Sequence, residues 1–256
     1  MPNDLGGMTV LVTRPRRPGQ VLCRLLEAAN AVAMHLPTLD FLPPHDIDAL
    51  RLALLQLGEQ DWLIFVSPQA VSESVPAIRA AWPCFPSTVK FAAIGAGTKA
   101  ALQQAGYHVA VCPELNWQSE GLLALPAFQS LTGQKMAIIC GEGGRDLLAR
   151  TLAARGARVT PVVAYRRVLP TMDVRPYRSA LSQGKIEVMV ATSCEGVKNL
   201  KTLMGEQAWP LLKVIPLLVI SERMKASAQA EGFQVVWVAR NASHEAILAV
   251  LAQKKG

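Results

Sequence analysis

The chain has 256 residues, 51% hydrophobic and only 5% aromatic, with a formal net charge of +7. That suits two ordinary globular domains with aliphatic cores, and it offers no obvious aromatic platform of the kind on which single-stranded nucleic acids stack, which weakens a nucleic-acid reading. The 26 Lys and Arg residues are scattered rather than gathered into a tract, which leaves either a merely basic surface or attraction of a polyanionic small molecule.

The expected elements alternate along the chain. Residues 10–12 read as a strand before a helix over about 19–29, residues 63–66 as a strand before a helix from about Pro68, and residues 91–94 as a strand before a helix over about 98–105. The second half repeats this, with strands at 138–139, 188–191 and 218–220 leading into helices that end near Arg155, begin near Glu195 and end near Ala230. Strands alternating with helices of this length predict parallel sheets covered on both faces. No apolar stretch reaches the ~20 residues of a spanning helix; even residues 211–220 are broken by Lys213 and Pro216. The amino terminus lacks the basic start and apolar core of a signal peptide, so a soluble, cytoplasmic protein without membrane or nucleic-acid partners is expected.

Half of the chain echoes the other half. Ser67 pairs with Ser193, Ile94 with Ile220 and Gly106 with Gly232, each 126 positions apart. Such an offset exceeds the 20–50 residues of a solenoid unit and implies two similar domains, with a ligand cleft expected between them. Two proline-bearing segments, 36–44 and 162–170, hold equivalent places and read as extended. The expectation is therefore two doubly wound parallel-sheet α/β domains: a discontinuous one of residues 1–37 plus 168–256 and a continuous one of 38–167. A two-stranded β hinge near 36–42 and 162–168 is expected to join them.

Cys23, Cys84, Cys112, Cys140 and Cys194 are far apart and contain no Cys-x-x-Cys pair, and the four histidines show no metal-ligand spacing. They read as reduced thiols and a chain without a metal site. In open α/β sheets, ligands bind beyond the carboxyl ends of strands, at helix starts with free N–H groups. Those loops hold Thr13-Arg14-Pro15, Ser67-Pro68, Gly95-Ala-Gly-Thr98, Ser119, Gly141-Glu-Gly-Gly-Arg145, Thr192-Ser193 and Ser221. Ser, Thr and Gly are favoured there by helix capping alone; repetition in two halves, with Arg14 and Arg145 at equivalent loops, argues for a ligand. Gly95-Ala-Gly-Thr-Lys-Ala100 satisfies Gly-x-Gly-x-x-Ala, but Glu114 follows Pro113 rather than a strand end, which weakens a dinucleotide site. Neither Ser67 nor Ser193 has the glycines of a nucleophile elbow. Tyr165, on an apolar run ahead of Arg166 and Arg167, is the candidate proton donor.

Val12-Thr-Arg-Pro15, Phe65-Val-Ser-Pro68, Ala93-Ile-Gly95 with Thr98, Ser119-Glu-Gly-Leu122, Gly141-Glu-Gly-Gly-Arg145, Val163-Ala-Tyr-Arg166 and Ala191-Thr-Ser193 with Gly196-Val197 occur in this order. In that set the chain resembles the uroporphyrinogen-III synthase family over nearly its whole length. The resemblance implies a cofactor-free lyase that closes hydroxymethylbilane, a linear tetrapyrrole with eight carboxylates, with loss of water and inversion of ring D. It implies a catalytic role for Tyr165 and substrate contacts from Arg14, Ser67, Thr98, Ser119, Gly144, Arg145, Thr192, Ser193 and Ser221. The substrate would be the one small-molecule partner of a monomer, and the upstream bilane-forming enzyme is a candidate protein partner. Gln69 and the loop Ser221-Glu-Arg-Met224 depart from the family pattern. Two other readings remain: a two-domain clamp that binds an anion without chemistry, and a nucleotide-dependent enzyme using residues 95–98.

Overall fold

The computed structural model describes residues 4–116, 118–144 and 146–255. In chain order the elements are β1 (Thr9–Val12), α1 (Arg16–Ala28), β2 (Val32–His35), β3 (Asp40–Leu42), α2 (Ile47–Leu55), β4 (Trp62–Phe65), α3 (Pro68–Ala81), β5 (Lys90–Ala93), α4 (Ala96–Gln104), β6 (Val109–Val111), α5 (Ser119–Ala124), β7 (Lys135–Gly141), α6 (Leu147–Ala154) and β8 (Arg158–Val168). There follow α7 (Arg175–Ser182), β9 (Val188–Val190), α8 (Cys194–Met204), α9 (Trp209–Val214), β10 (Leu217–Val219), α10 (Glu222–Ala230), β11 (Val236–Val238) and α11 (His244–Lys255). The chain divides into two compact units, one of Met1–Asp40 with Val168–Gly256 and one of Phe41–Arg167.

In the first unit the sheet order is β11-β10-β9-β1-β2, with every pairing parallel. Side chains alternate across a strand. Val10, Val12, Val188, Val190 and Leu218 therefore pack with Leu22 and Leu26 of α1 and Ile247 and Leu251 of α11. Leu11, Met189, Leu217 and Val219 pack on the opposite face with Leu181, Leu200, Leu212 and Met224, from α7 to α10. Burial on both faces explains why these strands are almost wholly apolar, and each such side chain contributes about 1.5–3 kcal/mol.

The second unit has the order β3-β8-β7-β4-β5-β6, and β4 to β8 pair in parallel. Leu63, Phe65, Phe91, Ala93, Ala137 and Ile139 meet Leu54 of α2, Val71 and Ile78 of α3, and Leu102 of α4. Trp62, Ile64, Ala92, Met136 and Ile138 face Leu122 of α5 and Leu148 and Leu152 of α6. Both sheets are thus doubly wound, as the strand and helix alternation implies.

The two orders are one topology entered at different points. The first unit reads β2-β1-β9-β10-β11 and the second reads β8-β7-β4-β5-β6, so starting the second at β7 makes them match. This is the structural content of the 126-residue offset. Gly106 after α4 and Gly232 after α10 do the same job in each copy, ending their helices at φ +77° and +96°, a conformation that only glycine takes without strain. The winding reverses between β1 and β9 in one unit and between β7 and β4 in the other. Ligands of open α/β sheets bind at that reversal.

Candidate active site

At the reversal in the second unit, Ser67 follows β4 and starts α3. Its backbone is extended (φ −165°) and its Oγ accepts the Ala70 N–H at 3.0 Å. Pro68 stands in the first turn, where a missing N–H costs nothing.

Tyr165 reaches the same place through a register shift. Ile139 pairs with Val162, Cys140 with Val163, and then Gly141 with Tyr165, leaving Ala164 as an extra residue. A slip of one residue reverses which face a side chain takes, so the bulge turns Tyr165 onto the α3 face beside Ala137 and Ile139. Bulges are a recurrent means of re-aiming a side chain next to a site. The tyrosine is 1% exposed and lies edge-on to Phe41, with ring centroids 5.4 Å apart. The Arg167 guanidinium is 5.7 Å from its ring centre, and its Oη is 3.2 Å from Ser67 Oγ.

The Glu142 N–H donates to the Tyr165 carbonyl at 2.8 Å. Its carboxylate accepts the His45 backbone N–H at 2.7 Å and meets His45 Nδ1 at 2.8 Å. The His45 backbone bond first, and the imidazole second, hold the Glu142 carboxyl below its ordinary pKa.

In the first unit the loops after β1 and β9 are laced together. Thr13 donates both its N–H and its hydroxyl to the Val190 carbonyl, at 3.0 and 2.9 Å. Thr38 does the same to the Thr13 carbonyl, at 3.3 and 3.1 Å. Ser193 caps α8 by accepting the Gly196 N–H at 2.9 Å, and Asn199 Nδ2 donates to the Thr38 carbonyl at 2.8 Å.

Arg14 stands in this framework, its carbonyl 3.0 Å from His35 Nε2. Its Nε and Nη1 are buried and have no hydrogen-bond partner among the described residues. Burial lowers its pKa from the usual arginine value, although a guanidinium stays charged in proteins. Buried donors left unmade are costly, and a carboxylate is their strongest acceptor. His244, opening α11, also has a buried Nε2 without a partner among the described residues. Burial, followed by the charge of Arg14, lowers the pKa of that imidazole.

The sequence-derived residues therefore fall into groups. Arg14, Thr192 and Ser193 gather at the reversal in the first unit; Ser67, Tyr165 and the exposed Gly144 gather at that in the second. Thr98 is 2% exposed inside α4, Ser221 caps α10 by accepting the Met224 N–H at 3.3 Å, and Ser119 opens the six-residue α5. These three follow strands farther along the sheets. Arg145 lies outside the described residues. Thr38, His45, Glu142 and His244 were not among the expected site residues: Thr38 bonds to Thr13 and His45 to Glu142 across distant stretches of chain, Glu142 lies inside the expected Gly141-Glu-Gly-Gly-Arg145 loop without having been given a role of its own, and His244 is marked by a buried Nε2 with no partner among the described residues. Among the described residues no three His, Cys, Asp or Glu side chains converge as a metal site would require.

Fold and loops together define a duplicated, doubly wound α/β protein whose polar loops collect where the winding reverses. A family model described as uroporphyrinogen-III synthase HemD matches residues 20–249. The uroporphyrinogen-III synthase of Escherichia coli is 34% identical over 250 residues, covering 95% of this chain and all of that protein. The Salmonella typhimurium enzyme is 32% identical over 247 residues, with coverage of 95% and 100%. A crystal structure of a mutant uroporphyrinogen III synthase from Thermus thermophilus superposes with a TM-score of 0.65 at 18% identity, covering 98% of this chain and all of that one. The Helicobacter pylori structure gives 0.58 at 16% identity, over 96% and 99%; these likenesses speak to the fold. The chain belongs to the uroporphyrinogen-III synthase family.

Proposed function

We infer that this protein is a cyclising lyase that converts hydroxymethylbilane to uroporphyrinogen III, a step of tetrapyrrole and heme biosynthesis. The observation that carries this reading is the match to the Escherichia coli synthase at 34% identity over 95% of the chain. The reaction expels the terminal hydroxyl as water and leaves an electrophilic azafulvene. The substituted carbon of ring D attacks to give a spiro intermediate, which fragments and recloses with that ring turned over. The bilane cyclises unaided to the uninverted isomer, so the protein's task is to hold one folded geometry, chiefly a matter of orientation and electrostatics.

In this reading Arg14, with two buried donors that have no partner among the described residues, holds a substrate carboxylate. N–H groups at the helix starts after Thr192, Ser193 and Ser67 hold others, with Thr98, Ser119, Gly144, Arg145 and Ser221 as further contacts. Tyr165 gives its proton to the departing hydroxyl. Its burial and its bonded Ser67 partner suit a group that acts by position. The protein works as a monomer, without a cofactor, and the bilane-forming enzyme upstream is its natural source of substrate. A reducing cytoplasmic setting accords with five free cysteines. No described helix is long and apolar enough to cross a membrane.

Incubation of the purified protein with freshly generated hydroxymethylbilane, followed by separation of the oxidised product isomers, tests the assignment. Formation of the type III isomer supports it; the type I isomer alone overturns it.

A further inference from the structure

We propose that Ser67 is a positioning residue that acts through Tyr165, donating its hydroxyl proton to the phenol oxygen so that the phenol proton is left free for the substrate. This deepens the synthase reading and rests on it.

A serine hydroxyl has one proton and two acceptor sites. One acceptor site of Ser67 Oγ is taken by the Ala70 N–H at 3.0 Å, and Tyr165 Oη lies 3.2 Å away on another side. If the phenol donated to Ser67, both acceptor sites would be filled and the phenol proton would be turned into the protein. If Ser67 donates, Ala70 N–H, Ser67 O–H and Tyr165 O–H point the same way in series, each bond polarising the next. The series begins at the amino terminus of a fourteen-residue helix, its electropositive end. The phenol is also fixed in place: the bulge at Ala164 sets its face, and the bare Gly141 leaves room for the ring.

The step balances. The bond from carbon to the terminal hydroxyl breaks heterolytically, pushed by the lone pair of the adjacent pyrrole nitrogen. The hydroxyl takes the Tyr165 proton and leaves as water, while Ser67 supplies a hydrogen bond to the phenolate oxygen. The ring-D carbon that finally closes the macrocycle gives up a proton, which restores the phenol. Ser67 keeps its own proton throughout and acts on the substrate only through the Tyr165 oxygen.

Steady-state kinetics with hydroxymethylbilane on Ser67→Ala, Ser67→Asp, Ser67→Thr, Tyr165→Phe and the double variant Ser67→Ala/Tyr165→Phe test the role. Asp keeps the helix cap but has no hydroxyl proton, so it separates lost capping from lost donation. The expected result is a fall in kcat of about ten-fold for Ala and Asp, with KM within about two-fold. Thr should recover most of that loss, and Ser67→Ala should change kcat by less than about two-fold in the Tyr165→Phe background. An unchanged kcat in Ser67→Ala, equal losses in both backgrounds, or a rise in KM as the main effect would each overturn the role, the last making Ser67 a substrate contact. Wild-type protein yielding only the type I isomer removes the function and this role together; type III formation with additive losses removes the role alone.

Discussion

A Cβ on Gly141 would lie 2.6 Å from Cε2 and 2.7 Å from Cζ of Tyr165, so the tyrosine can occupy its seat only because residue 141 has no side chain. Both atoms belong to a rigid ring that is itself 1% exposed, which leaves no room for a small adjustment. Gly141→Ala is therefore expected to displace Tyr165. Overpacking of this kind costs about 1–3 kcal/mol, which for a chain of this length lowers Tm by roughly 2–12 °C. Activity should fall further than stability, since the proton donor moves. Calorimetry and isomer-resolved kinetics on the same preparation would show it; wild-type values in both would mean that the seat has slack.

Arg14 should give opposite signs in stability and binding. Its guanidinium is a desolvated charge whose Nε and Nη1 are unpartnered among the described residues, and such a charge weakens the unliganded protein. Arg14→Gln should leave thermal stability unchanged or slightly higher. The same substitution removes a charge-assisted contact worth about 1.5 kcal/mol or more, so KM for the bilane should rise at least about ten-fold. A destabilised variant with normal KM would make Arg14 a structural residue.

The bond from His45 to Glu142 predicts an acid-sensitive element. The Glu142 carboxyl has its pKa lowered from 4.5, first by the His45 N–H and then by its imidazole. A depressed carboxylate contributes stability that is present above its unfolded pKa and is lost as pH falls through the folded one. Glu142→Gln should therefore be less stable than wild type near neutrality, and the difference should shrink below about pH 4.5. Urea titrations of both proteins across that range would check this, and a pH-independent gap would contradict it.

Thiol chemistry offers a test of the first unit's core. Cys23 faces the buried side of α1, where burial pushes its pKa up to about 11, whereas Cys84 is exposed. The thiolate is the reactive form. Alkylation of the native protein near pH 8, followed by peptide mass spectrometry, should mark Cys84 early and Cys23 only on unfolding. Rapid native labelling of Cys23 would be inconsistent with the packing of α1.

The central strands were legible because burial on both faces makes them short, nearly continuous apolar runs, as in β4, β7 and β9. The outer strands β2, β6 and β11 were not. They are three or four residues long at sheet edges, and residues such as Val32, 53% exposed, carry little hydrophobic signal. Proline gave the extended character of the segments containing β3 and β8, but a β-bulge has no local signature, so the face taken by Tyr165 could not be read. The serines were visible as loop residues, and their capping of α3, α8 and α10 is seen in the bonds they accept from the Ala70, Gly196 and Met224 N–H groups. Thr38 and His45 are silent in sequence because their partners, Thr13 and Glu142, are 25 and 97 positions away.

That β1 pairs with β9 as well as with β2 has a consequence for how the polypeptide is made. The first strand is complete at Val12, but its neighbour begins only at Val188. At ordinary translation speeds the nascent chain must carry β1, β2 and their exposed apolar face for roughly 10–35 s before that neighbour is synthesised. The continuous stretch 41–167 has all its own strands by then and can finish folding while still tethered to the ribosome. The opening forty residues must wait, unpaired on one side, which makes them the natural place for a chaperone to act.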